Sequence, residues 1–248
     1  MTGFKDHFSV NAGGYAAHRP HYPDALFAWL AARCPRQDLA WDCATGSGQA
    51  ARGLAAHFPR VIATDASAEQ IANALPCAGV EFRVAPAEAS GLDAAGVDLV
   101  TVAQAAHWFD LPRFHAEARR VLRPGGAIAL WGYERLELEP AVSRLVGHFY
   151  HRDLDGFWPP ERHHVETAYR ELPFPFVEEA TAEFAMTARW DLHDLLGYLS
   201  TWSAVKNYRQ ARGRDPIPEL GERLARVWGS PDTRKDIKWP LFLRFGRP

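Results

Sequence analysis

The densest chemical signal in this 248-residue chain is the turn Asp42-Cys43-Ala44-Thr45-Gly46-Ser47-Gly48-Gln49. Glycines in such a turn let the backbone come close to a ligand, because they lack a Cβ and tolerate positive φ. A second acidic residue, Asp65, closes the apolar run Val61 to Asp65 (VIATD). A carboxylate there can accept hydrogen bonds from both hydroxyls of a ribose, so an adenosine-containing ligand is the first reading. Further along, Gln104-Ala105-Ala106-His107-Trp108-Phe109-Asp110 offers an amide, an imidazole and an indole together. His107 is the candidate general base, since an imidazole can exchange a proton near neutral pH.

These residues need elements to hold them. Leu39–Cys43 (LAWDC) reads as a strand that runs into the glycine turn and then a helical stretch to about Phe58. Strands follow at Val61–Asp65, Val80–Val84, Val97–Ala103 and AIALWGY. Ser67 and Gln70 have capping-box spacing for a helix start. Asp110 with Pro112 opens another helix, LPRFHAEARRVL. Strands alternating with helices imply right-handed crossovers and a mostly parallel sheet covered on both faces. In such sheets ligands bind beyond the carboxyl ends of the strands, where the strand order reverses. The second half reads differently: helices at 141–154 and 163–171, a loosely alternating strand at 176–186, one long helix at 191–210, a helix at 217–228, and a final strand IKWPLFLRFG. Pro240 in that strand cannot donate to a ladder, so a bulge or an edge is expected there.

Two ligand classes fit the turn. Gly46-x-Gly48-x-x-Ala51 matches the GxGxxA dinucleotide fingerprint, with Asp65 about 20 residues on. Asp42-x-Ala44-x-Gly46-x-Gly48 matches instead the acidic-x-Gly-x-Gly-x-Gly loop of S-adenosylmethionine enzymes, with Ala44 in the first glycine place. Asp42 would repel a pyrophosphate and suits the positive ammonium end of S-adenosylmethionine. With FKDHFS, YAAHRPHYP, DCATGSGQAA, TDAS, AQAAHWFD and TWSAVKNY, the chain resembles the class I S-adenosylmethionine-dependent methyltransferases. More narrowly it resembles their trans-aconitate methyltransferase-like small-molecule branch, over about residues 4–245.

The resemblance implies a doubly wound, mostly parallel seven-stranded α/β sheet of Rossmann-like type, its last strand antiparallel, as one domain over 1–248. It implies an N-terminal lid at 1–22 and helical cap insertions at 139–175 and 188–235. Asp65 would hold the ribose hydroxyls, Ala66 and Gln70 would flank the adenine, and Ala87 and Glu88 would meet its exocyclic edge. Gly46 and the Ala44 backbone would lie under the methionine part, with Asp42, Gln49 and Gln104 near it. In the lid, Phe8 and Tyr15 would cover the cofactor and Arg19 would pair with its carboxylate. Trp108 and Tyr133 would face the opening with His107, and Trp202 and Tyr208 would line the acceptor side. The implied reaction is methyl transfer to a small molecule, with carboxylates the leading acceptors.

Composition narrows the alternatives. Net charge is −2, and the chain has no (N/D)PP(Y/F) motif, which disfavours a nucleic-acid partner. From Lys206 onward there are eleven Lys or Arg against five Asp or Glu, which fits an ordinary solvated face or an anionic ligand. Cys34, Cys43 and Cys77 form no CxxC pair, so a reducing, cytoplasmic setting is expected. The N-terminus lacks an apolar signal core, and there is no run of about 18 apolar residues to span a membrane. His148 and His151, and His163 with His164, lack converging thiolates or carboxylates, so no metal is expected. An NAD-dependent oxidoreductase and a non-catalytic S-adenosylmethionine or S-adenosylhomocysteine binder remain as the alternatives; the oxidoreductase would need a Tyr-x-x-x-Lys or a His/Asp pair that the sequence does not offer. Oligomeric state is not readable from these residues.

Overall fold

The computed structural model describes residues 20–248. Phe8, Tyr15 and Arg19, and most of the expected lid, lie outside the described residues. The first half follows the alternation of the sequence: α1 (Asp24–Ala32), β1 (Leu39–Cys43), α2 (Gln49–Leu54), β2 (Arg60–Asp65), α3 (Ala68–Ala72), β3 (Val80–Val84), β4 (Val97–Ala103), α4 (Leu111–Val121) and β5 (Leu122–Tyr133). Local chemistry starts the helices where expected. The Ser67 hydroxyl accepts from the Gln70 N–H (3.3 Å), and Asp110 accepts from the Arg113 N–H (3.4 Å).

The second half contains α5 (Pro140–His148), a wider turn at Phe149–Asp153, α6 (Arg162–Glu166), β6 (Val177–Glu179), β7 (Phe184–Trp190), α7 (Leu192–Ser200), α8 (Ser203–Arg212), α9 (Ile217–Trp228) and β8 (Lys235–Arg247). Strand order is β3-β2-β1-β4-β5-β8-β6, with β7 also paired to β8. The pairs β1–β2, β1–β4, β2–β3 and β4–β5 are parallel, and β8 is antiparallel to β5. The order therefore reverses between β1 and β4. Among the described residues no helix is long and apolar enough to cross a membrane.

Three expectations change. The single strand foreseen at 176–186 is two short ones lying end to end along β8, so eight strands fill seven positions. The long helix foreseen at 191–210 is broken. The Ser200 and Thr201 hydroxyls donate back to the Gly197 and Tyr198 carbonyls (2.7 and 2.6 Å), and Trp202 turns extended to start α8. Such back-bonding competes with the helix ladder. Pro240 makes no bulge: Ala185 pairs with it in unbroken register. On its other side Lys238 exchanges both backbone bonds with Glu137, and β5 pairing resumes only at Tyr133–Leu241. The proline nitrogen, two residues on from Lys238, faces the gap between those pairings, where no donor is needed.

Alternation along the strands divides the core in two. Ala40, Val61, Ala63, Leu99, Ala129 and Trp131 face one cluster, which continues through α1 and α2 into Val142, Leu195, Leu199, Leu224 and Trp228 of the later helices. Trp41, Ile62, Val100, Val102, Ile128 and Leu130 face the other, against Phe114, Ala118 and Tyr169. The later helices thus share a core with the sheet.

Candidate active site

The site lies at the carboxyl ends of β1, β2, β4 and β5. Ala44 and Gln104, the residues just beyond β1 and β4, both have left-handed backbone, with φ of 54° and 57°. Such a conformation costs about 1–2 kcal/mol in a residue with a Cβ, and strain of this kind gathers at functional sites. Gln104 is held by its N–H donating to the Trp131 carbonyl (2.9 Å) and its amide nitrogen donating to the Tyr133 carbonyl (2.8 Å).

The turn after β1 is built on buried polar contacts. Asp42 is fully enclosed. It sits opposite Thr101 in the β1–β4 register. The Thr101 hydroxyl donates to Asp42 Oδ1 (2.9 Å), and the Thr45 hydroxyl donates to Oδ2 (2.5 Å). Burial raises the Asp42 carboxyl to about 6, opposed by those hydroxyls and by the Ala51 N–H. The sequence placed this carboxylate beside the ligand. Instead it lies behind the turn and acts on anything bound there by shape and through-space charge.

Asp65 stands at the end of β2 beside the glycine turn. Its Oδ2 accepts from the Gly46 N–H and its Oδ1 from the Ser67 N–H, both at 2.9 Å. Gly46 and Gly48 have φ of 56° and 82°. Among the described residues a Cβ on Gly46 would meet only Gln70 Oε1, at 3.9 Å, whereas one on Gly48 would strike the Phe82 ring at 2.7 Å. The backbone is therefore open at Gly46, toward Asp65 and Gln70, and closed at Gly48. Ala66 is half-buried beside them and Ala87 is buried. Glu88, beyond β3, accepts from the Asp110 N–H (3.0 Å). Gln49 Nε2 donates to the Pro20 carbonyl (2.7 Å), which ties the incoming chain to α2.

A second group of residues lies beyond β4 and β5. His107 Nδ1 is 2.8 Å from the Tyr169 hydroxyl. Burial pushes the phenol well above its usual range, opposed by the Arg162 charge and the main chain at His107 and Ala106. Burial, with the charges of Arg162 and His164 nearby, pushes the imidazole down to about 3. At neutral pH the imidazole is therefore uncharged, with Nδ1 engaged by Tyr169.

Arg162 Nη2 donates to the Glu134 carbonyl (3.0 Å), just past β5, and Nε donates to the Tyr150 hydroxyl (3.0 Å). That hydroxyl donates in turn to Glu166 (2.5 Å). Tyr150 stacks on Trp158 with centroids 4.3 Å apart, and Trp202 lies 5.5 Å from Trp158 and 5.6 Å from Tyr150. Trp202 therefore joins an aromatic wall with Tyr150 and Trp158. Tyr208 does not: it is buried against Phe157 at 4.9 Å. Tyr133 is buried in the first core cluster and Trp108 packs against the second, so they flank the opening from opposite faces. Thr101, Tyr150, Arg162 and Tyr169 stand near no motif in the sequence, and Thr45, inside the glycine turn, was read there only as a spacer. His148 pairs with Asp153 (3.3 Å) and His163 with Glu171 (2.9 Å).

An open α/β sheet with a glycine turn after β1 and an aspartate closing β2 is the frame that nucleotide-type cofactor enzymes use. Residues 41–130 match the model of the methyltransferase domain family. A Dictyostelium discoideum protein named as a methyltransferase is 33% identical over 98% of this chain and 95% of its own length. A solved structure described as a type II methyltransferase, from Anaeromyxobacter dehalogenans, is 47% identical with a TM-score of 0.88, over 92% of this chain and 97% of that one. A Bacillus halodurans protein of 18% identity and TM-score 0.51, over 90% and 97% of the two chains, shares the fold. The chain belongs to the class I S-adenosylmethionine-dependent methyltransferases.

Proposed function

We propose that this enzyme methylates a small anionic molecule, on a carboxylate oxygen, as in the trans-aconitate methyltransferase-like branch. The observation that carries the cofactor half is Asp65, whose two oxygens take backbone N–H bonds beside an unobstructed Gly46. The residues present fit S-adenosylmethionine. Asp65 would take the ribose hydroxyls, Ala66 and Gln70 would border the adenine, and Ala87 and Glu88 its far edge. Ala44, Gly46 and Gln104 would lie along the methionine part. Gln49 holds the chain at Pro20.

Bound there, the cofactor supplies a methyl group on a sulfonium sulfur, whose S–C electron pair stays with sulfur as the acceptor oxygen forms the new bond. The chain's own contribution is alignment and exclusion of water, which together lower such a barrier by up to about 7–11 kcal/mol. His107 is a weak base on this reading, since burial pushes its imidazole down to about 3 and its Nδ1 meets the Tyr169 hydroxyl. A carboxylate acceptor, ionised at neutral pH, needs no proton taken. The three free cysteines suit a cytoplasmic enzyme on the same reading.

Calorimetric titration with S-adenosylmethionine, S-adenosylhomocysteine and NAD tests the reading. Asp65→Ala removes an acceptor of two hydroxyl bonds, each worth about 1.5–3 kcal/mol to a charged group, so affinity for both sulfur cofactors should fall at least about 100-fold. Binding of NAD in their place would return the turn to the dinucleotide reading. Binding without turnover of any acid would favour the non-catalytic alternative.

A further inference from the structure

Arg162 is a half-buried arginine held at the end of β5. Arg120, Arg123, Arg244 and Arg247 each meet a carboxylate in an ion pair. Arg162 meets none among the described residues, and Glu166 is reached only through the Tyr150 hydroxyl. Its position is fixed from two sides, by the Glu134 carbonyl past β5 and by Tyr150. Its guanidinium lies 5.3 Å from the Trp158 ring and 5.7 Å from the Tyr150 ring. Of the five donors of a guanidinium, two are engaged, which leaves three. Beside it, His164 Nδ1 is buried with no hydrogen-bond partner among the described residues. Beyond β5 the chain therefore holds a half-buried guanidinium with no direct ion pair among the described residues, against an aromatic wall. Partial burial strengthens its attraction for an anion.

We infer that Arg162 is the specificity residue that binds the acceptor's carboxylate, on the wall of Tyr150, Trp158 and Trp202. This rests on the methyltransfer reading above and adds the group that selects the acceptor. A guanidinium clamped by two bonds offers its remaining donors in a fixed plane, which suits a planar carboxylate and rejects an uncharged amide. The Tyr150 hydroxyl and the Glu134 carbonyl are positioning groups, since they act through Arg162.

The test uses benzoate, succinate and tricarballylate, each beside its primary amide, with wild type, Arg162→Gln and Arg162→Lys. Binding is read by tryptophan fluorescence in the presence of S-adenosylhomocysteine, and turnover by release of that product. Melting temperature and affinity for S-adenosylmethionine are measured on each variant first. The expected result is acid binding by wild type, with amides at least 10-fold weaker. In Arg162→Gln the acid KM should rise about 10- to 100-fold with kcat within about 3-fold, and affinity for S-adenosylmethionine should be unchanged. Arg162→Lys should fall between, because it keeps the charge and loses the fork. If Arg162→Gln does not fold, the lysine variant decides, and an unchanged acid KM there overturns the inference. Acids that bind wild type and the variants equally, amides that bind as well as acids, or acids that do not bind wild type at all also overturn it. In those cases Asp65-dependent cofactor binding would still uphold the cofactor half of the proposed function. Absence of cofactor binding would instead remove the reading on which the inference stands.

Discussion

Asp42→Asn isolates the enclosed carboxylate behind the glycine turn. The substitution keeps the shape, and the hydroxyls of Thr45 and Thr101 can turn to serve an amide, since each can donate or accept. In the wild type the folded carboxyl stands at about 6 against an ordinary 3.8. The folded chain therefore holds this proton more tightly than the unfolded chain does. The stability it contributes is fully present below about pH 4 and is lost as pH rises to about 6. The rise from 3.8 to about 6 corresponds to about 3 kcal/mol. The assay is urea unfolding of both proteins in small pH steps from about 4 to about 8. Subtracting wild type from variant removes every other titrating group that the two share. The difference should climb in favour of the variant by about 3 kcal/mol up to about pH 6, then level off. A flat difference would refute the reasoning, because it would mean the carboxylate keeps its water. A difference that falls with pH would mean that its hydrogen bonds outweigh its desolvation.

Three further outcomes follow from the same geometry. Ala44→Gly should stabilise the fold by about 1 kcal/mol in chemical denaturation, because it relieves a left-handed backbone at φ 54°. Gly48→Ala should destabilise by about 2–3 kcal/mol and weaken cofactor binding in the same titration, since its Cβ meets the Phe82 ring at 2.7 Å with φ at 82°. His107→Gln should keep turnover within about 10-fold, where loss of a true base costs about 100- to 10,000-fold. The wild-type rate should show no histidine step near neutral pH, because that imidazole stands at about 3.

The early strands and the cofactor side were legible because each signal there is local. A glycine turn follows β1, an aspartate closes β2, and a serine caps the helix after it. The breaks in the second half were less so. The end of α7 depends on two hydroxyls folding back on carbonyls three residues behind, which a hydrophobic pattern does not register. Pro240 reads as an obstacle until the gap between Tyr133 and Glu137 is seen beside it. Asp42 read as a ligand contact because its partner Thr101 lies 59 residues away. The acceptor side was hardest. His107 meets Tyr169 across 62 residues, and Arg162 meets Glu134 across 28. Nothing in the spacing of those residues marks them as neighbours.

Strand β8 is bound on both edges, and its partners come from both halves of the chain. Ile128 to Tyr133 take one edge, while Val177 to Glu179 and then Phe184 to Trp190 take the other. It is the last of the eight strands to leave the ribosome. Until it arrives, β5 exposes an unpaired edge, and β6 and β7 have no partner in the sheet. The long loops closed by these pairings raise the contact order and slow the final step of folding. The nascent protein is therefore open to edge-to-edge association for longer than its parallel half alone would be. Cofactor and acceptor surfaces also become native together, since one late segment joins the sheet of the first to the helices of the second. Cleavage within 235–247 should release both surfaces rather than trim one.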